Sequence, residues 1–247
     1  MNRQAQAAVL FLVGAAVLHA GLTDLYLRYV KAGLRPLLLA AGVVLIMAAV
    51  ATVWYERRGR GETGDGDGDG DGHGHGHVHR EPRVAWLLVL PLLALILVSP
   101  PALGSYSAMH AGTALQAPLA YPSLPATDPL PLGVVDYAGR AAYDHGRTLA
   151  HRRVEVTGFV ALAQDGTPYL VRMALNCCAA DAQPVKIGLT GHIPPVLQPD
   201  TWLQVTGTYT AKQTKDPVND GRIPFLDVTA AKPVPTPHDP YDESWNN

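Results

Sequence analysis

Two cysteines among 247 residues exclude a disulfide-stapled scaffold. The formal net charge of −2 gives no electrostatic case for binding nucleic acid. From residue 133 onward ten Lys and Arg stand against twelve Asp and Glu, with no basic stripe carrying interleaved aromatics. No G-x-S-x-G, P-loop or H-E-x-x-H motif occurs, so hydrolase and nucleotide-driven chemistry have no support. The cysteines form no C-x-x-C, and no thioredoxin-like βαβ pattern surrounds them.

What is present is unevenly distributed. Three long apolar runs, about 5–26, 36–55 and 84–103, lie in the N-terminal part. A bilayer core of about 30 Å needs roughly 20 helical residues, so each run is of spanning length. Pro91 inside the third run is tolerable in a membrane helix, and Trp54, Tyr55 and Trp86 stand at run ends like interfacial anchors. A cleaved leader beginning at Arg3 is the alternative for the first run. With the N-terminus inside, Arg3, Arg57, Arg58, Arg60, Arg80 and Arg83 face the cytoplasm, against Arg28, Lys31 and Arg35 outside. That bias predicts three spans with a cytoplasmic N-terminus and an extracytoplasmic C-terminal domain.

Within the connection 56–83, Gly64 to Gly72 alternates Gly with Asp, and His73 to His79 alternates His with Gly or Val. It cannot bury a core. His73, His75, His77 and His79 place four imidazoles on it, suited to loose collection of a transition metal. A low-complexity linker without a ligand is the competing reading.

Residues 104–132, rich in Pro and Ala, read as an extended tether. Beyond it come five β-like runs within 133–232: Arg153–Val160, Pro168–Leu175, Val185–Leu189, Thr201–Tyr209 and Ile223–Ala230. Asp165-Gly166 is a hairpin signal between the first two. Gly158 and Gly207 sit in the matching runs VEVTG and LQVTG, where glycine suits a bulge or barrel corner. The expected architecture is a membrane-anchored all-β protein: three transmembrane helices, then an OB-like small β-barrel, then a Pro-rich tail at 233–247.

Both cysteines, Cys177 and Cys178, stand side by side after the second strand, with Asp181 three positions on. Successive Cα atoms lie about 3.80 Å apart, short of the roughly 4.4–6.8 Å of an ordinary disulfide. A bond between the two would be strained and readily reduced. Two thiolates and a carboxylate, completed by His151 or His192, would make a chemically reasonable zinc set. Neighbouring side chains of a strand point to opposite faces, so the pair must lie in a turn for both sulfurs to converge. A third reading makes the cysteines small packing residues.

The order VEVTGFV, LVRMALNCCAADAQPV, WLQVTG, IPFLDV and DPYDESW resembles the bacterial YcgQ-like family of membrane proteins of unknown biochemical function. The most specific piece is Arg172 to Pro184, R-M-x-x-x-C-C-x-A-D-A-x-P. The resemblance implies a membrane-anchored OB-like domain working beside a YcgR-like multi-span permease, in a setting of zinc homeostasis. It supplies no catalytic residue. The expected function is therefore a non-enzymatic accessory subunit of a permease-type transport system, linked to zinc or another transition metal. The alternative of another class is a thiol-based redox sensor or enzyme using Cys177 and Cys178.

Overall fold

The computed structural model of the chain describes residues 3–61, 89–98 and 100–242. They divide into two compact units, one lying within residues 1–26 and 33–101, the other within 27–32 and 102–247.

The first unit is helical. Helix α1 spans Arg3–Leu22 and α2 spans Arg35–Gly61. Their contact is made possible by small residues: a Cβ at Gly14 would stand 3.0 Å from the Gly42 carbonyl oxygen, and one at Gly42 would stand 3.2 Å from that of Gly14. The Arg35 guanidinium donates to the Gly21 carbonyl at 3.0 Å. Phe11, Leu37, Val44, Met47 and Val50 are exposed. Among the described residues two stretches, Gln4–Leu22 and Ala32–Arg58, are long and apolar enough to cross a membrane; three such runs are expected from the sequence. Of the third run, 84–103, a nine-residue helix α3, Val89–Leu97, is described, while residues 84–88 and 99 lie outside the described residues. Its far end is corrected: Ala102 and Leu103 pack against the core of the second unit, so they do not continue a span.

The second unit is a five-stranded closed barrel with two added short strands. Strand β1 is Leu130–Leu132, followed by helix α5, Val134–Tyr143; a short helix α4, Ser105–His110, precedes both. The barrel strands are β2, Val154–Leu162; β3, Pro168–Ala174; β4, Gln183–Gly191; β5, Trp202–Lys215; and β6, Arg222–Pro233. Each overlaps one of the five β-like runs. Strands β2, β3 and β4 form an antiparallel meander, β4 pairs parallel with β6, β6 antiparallel with β5, and β5 closes on β2. The Asp165-Gly166 turn is present, with Gly166 at φ +82°.

Two layers of side chains account for the long apolar character of the strands. Val154, Val156, Val160, Leu170, Val185, Ile187, Leu203, Val205 and Leu226 fill the barrel interior, joined there by Val134, Tyr137 and Ala141 of α5. Phe159, Val171, Met173, Trp202 and Ile223 face outward, where Ala108 of α4 covers them. The Tyr137 hydroxyl donates to the Phe225 carbonyl at 2.7 Å, and burial pushes its ionisation far up, so it acts as a neutral donor. Gly158 and Gly207 are required by close approach: a Cβ at Gly158 would lie 2.7 Å from the Val171 carbonyl oxygen, and one at Gly207 would strike that of Asp227. At Gly207 the β5–β6 register also shifts, as a bulge does.

Segment 104–132, read as a tether from its composition, instead packs as a strap on the barrel. Proline-rich backbone offers carbonyls and few N–H groups. Side-chain donors of the barrel unit meet those carbonyls: Asn219 at Thr113 (2.9 Å), Tyr143 at Leu115 (3.1 Å), Arg140 at Pro122 (3.0 Å) and Arg152 at both Pro125 and Thr127 (2.6 Å each). The Asp200 carboxylate accepts from Ser105 N–H (2.6 Å) and hydroxyl (2.9 Å) at the start of α4. Within the tail, Tyr241–Asp242 forms a last strand, β7, parallel to β3. Strands β1 and β7 occupy the fork where β2 and β3 part.

Candidate metal centre

Strand β3 ends at Ala174, so Cys177 and Cys178 lie in the turn between β3 and β4, as convergence of their sulfurs requires. The turn is built around Asp181. Its Oδ1 accepts Asn176 N–H at 3.0 Å; its Oδ2 accepts Cys177 N–H at 2.9 Å, the Cys177 thiol at 2.9 Å and Cys178 N–H at 3.4 Å. A 3-10 turn, Ala179–Asp181, brings the carboxylate back over those donors. The local sequence explains this arrangement. A carboxylate three residues beyond the start of a helical turn reaches back to its unpaired N–H groups, and two alanines between leave it room.

The ligand-type atoms of Cys177, Cys178 and Asp181 all lie within 4.8 Å of one another. Two zinc–sulfur bonds of about 2.3 Å span at most about 4.6 Å, and about 3.8 Å in a tetrahedron. Separations within 4.8 Å are therefore near those that ligands of one shared ion take. Cys177 is exposed and Cys178 half-buried, and both are free thiols, so an ion in solvent can reach the site.

The electrostatics favour a protonated Cys177 beside an ionised Asp181. The hydrogen bond to Asp181, and next the neighbouring Cys178, push the Cys177 thiol up to about 11. Partial burial raises Asp181, but the thiol and the backbone N–H groups of residues 176–178 together hold it below the ordinary carboxylate value. An arriving cation must displace the thiol proton, and it then finds a carboxylate already charged. Thiolate and carboxylate are donor types that soft and borderline metals take.

The histidines fall elsewhere. His192 follows β4 at the end opposite Gln183, where its N–H bonds the Val228 carbonyl at 2.9 Å. His151 lies exposed in the turn before β2. Neither belongs to the cluster, so among the described residues the chain supplies three ligand groups there. His73, His75, His77 and His79 lie outside the described residues.

Two features carry no local sequence signal. Lys186, on the outer face of β4, and Asp216, after β5, form a fully buried ion pair at 2.7 Å. The second is the seating of Tyr29–Lys31 along the cysteine turn, where Lys31 N–H donates to the Cys177 carbonyl at 3.1 Å and Ala179 N–H to that of Tyr29 at 2.7 Å. Only the folded chain brings partners this distant together.

No curated protein and no solved structure matches the chain. Residues 140–242, from within α5 through all five barrel strands to β7 and including the cysteine turn, match the model of the DUF1980 C-terminal domain, a family of uncharacterised function.

Proposed function

We propose that this chain is a membrane-anchored, non-enzymatic accessory subunit of a permease-type transport system. Its OB-like barrel presents Cys177, Cys178 and Asp181 as a zinc-class metal site on the extracytoplasmic side. The observation that carries the reading is the convergence of two thiols and one ionised carboxylate in a solvent-reachable turn. The strand order β2-β3-β4-β6-β5, closing on β2, supports an OB-type barrel. The YcgR-like permease partner and the zinc setting rest on the family resemblance, and the histidines of the 56–83 connection serve in this reading as a loose collector.

The placement rests on the bias of Lys and Arg near the ends of the three apolar runs, which favours a cytoplasmic N-terminus and an extracytoplasmic C-terminal domain. A reporter fused after Asn247 is expected to be active only outside the cytoplasm, and the same fusion to recover a multi-span permease from mild detergent. Cytoplasmic activity overturns the topology; recovery of the protein alone, with the permease demonstrably expressed, overturns the partnership.

The metal site is tested on the full-length protein with the four loop histidines changed to alanine. Cobalt(II) titration is expected to give a thiolate-to-metal charge-transfer band saturating near one equivalent, lost in the double variant Cys177→Ser, Cys178→Ser. Both thiols are expected to resist alkylation once loaded. Absence of the band, with equal alkylation in the presence and absence of metal, overturns the reading. Reversible oxidation of the pair without metal uptake would put the redox sensor in its place.

A further inference from the structure

Resting on the metal reading of the cysteine turn, we infer that residues 28–31 are a docked strap whose seating is coupled to metal loading: the empty site holds the strap, and the filled site releases it. The Cys177–Cys178 peptide is gripped on two sides. On one side Asp181 holds the N–H groups of Cys177 and Cys178. On the other, Tyr29–Lys31 lies antiparallel to it, with Val30 opposite Cys178. Lys31 N–H takes the Cys177 carbonyl at 3.1 Å, and the Tyr29 carbonyl takes Ala179 N–H at 2.7 Å. The strap is further tied by the Tyr241 hydroxyl, which donates to the Arg28 carbonyl at 2.9 Å and accepts Leu103 N–H at 3.3 Å. Leu27 beside it is buried.

The coupling follows from which atoms share a rigid unit. The Cys177 carbonyl and the Cys178 N–H belong to one planar peptide, so they turn together. A metal bound by Asp181 occupies the carboxylate that now holds both N–H groups. Loss of those bonds lets the peptide rotate. The Cys177 carbonyl then turns away from Lys31, whose hydrogen bond weakens steeply with angle. The strap loses its central acceptor while Asp181 loses its grip on the backbone. The strap is part of the chain between α1 and α2, so its release frees the connection that joins the two apolar helices.

Coupling between two events is reciprocal: if metal disfavours docking, undocking must favour metal by the same factor. The test uses the full-length protein in mild detergent with the loop histidines changed to alanine. Amide exchange is followed with and without cobalt(II), and cobalt affinity is read from the thiolate band. Saturating cobalt is expected to speed exchange of the amides at 29–31 and 179. Tyr241→Phe, which removes the tie to Arg28, and Lys31→Pro, which removes the donor to Cys177, are each expected to tighten cobalt about three- to tenfold. Tyr241→Phe keeps the ring and its packing, so it reads the coupling even where Lys31→Pro disturbs folding. Cobalt binding with unchanged or slower exchange at 29–31, or with variants of wild-type or weaker affinity, overturns the coupling and leaves the metal site standing. Failure of the unaltered cysteines to bind cobalt at all overturns both.

Discussion

Replacing Lys186 by methionine is expected to destabilise the barrel unit by about 3–5 kcal/mol, because it leaves a buried carboxylate without its counter-ion. Lys186 and Asp216 each expose 0% of their side chains, and their Nζ–Oδ2 distance is 2.7 Å. Lys186 Nζ also donates to the Ala111 carbonyl at 2.9 Å, and Asp216 accepts Thr113 N–H at 2.9 Å and Val218 N–H at 2.9 Å. The pair thus joins strand β4, the β5–β6 connection and the strap 104–132. Methionine fills much of the volume of the lysine stem, so packing is largely kept and the loss is electrostatic. The thermal midpoint should fall by about 10 °C or more. Changing both residues, Lys186→Met with Asp216→Asn, should cost less than the single change, since no net charge is then left buried. Thermal unfolding followed by near-ultraviolet circular dichroism reads both variants. A single variant within about 2 °C of the parent would show that the pair carries little of the strap's attachment.

Metal affinity at the cysteine turn is expected to rise steeply with pH. The Cys177 thiol, raised to about 11, is protonated throughout the neutral range and must release its proton to bind. Affinity for zinc should therefore increase at least about tenfold per pH unit, or about a hundredfold from pH 6 to 8. Competition against a chelator of known pH dependence measures the slope. A flat profile would mean that Cys177 is not a ligand. The empty turn has the opposite preference. A thiol raised above its unfolded value of about 8.5 contributes stability that is present below that value and lost as pH rises through about 11. The Asp181 carboxyl, depressed on folding, contributes stability present above its unfolded value of about 3.9 and lost as pH falls through its lower folded one. The apo turn is therefore best held between those limits, the window in which metal competes for it.

The barrel strands were legible because period-two alternation and β-branched content are local properties. Val154, Val156 and Val160 point inward, while Phe159 and Ala161 point outward. A second apolar layer on the outer face blurred the alternation in β3, where Tyr169 to Met173 is apolar on both sides apart from Arg172. The glycines of the two VTG runs were readable as close-approach positions because glycine in a strand has few other uses. The strap was not readable. Proline-rich sequence has no period to score, and its attachment depends on donors such as Asn219 and Arg152, which stand well away from it along the chain. Strands β1 and β7, of three and two residues, are too short to leave a pattern.

The amino-acid sequence by itself determined the apolar helices, the five barrel strands and the grouping of Cys177, Cys178 and Asp181, because each depends on residues within a turn or a strand of one another. Tertiary structure alone decided that His151 and His192 stand apart from that group, that Lys186 finds Asp216 in the interior, and that Tyr29–Lys31 lies against the cysteine peptide. These outcomes join or separate residues far apart in the chain. No local propensity encodes them, and they are set only when the closed barrel and its strap bring distant backbone within hydrogen-bonding reach.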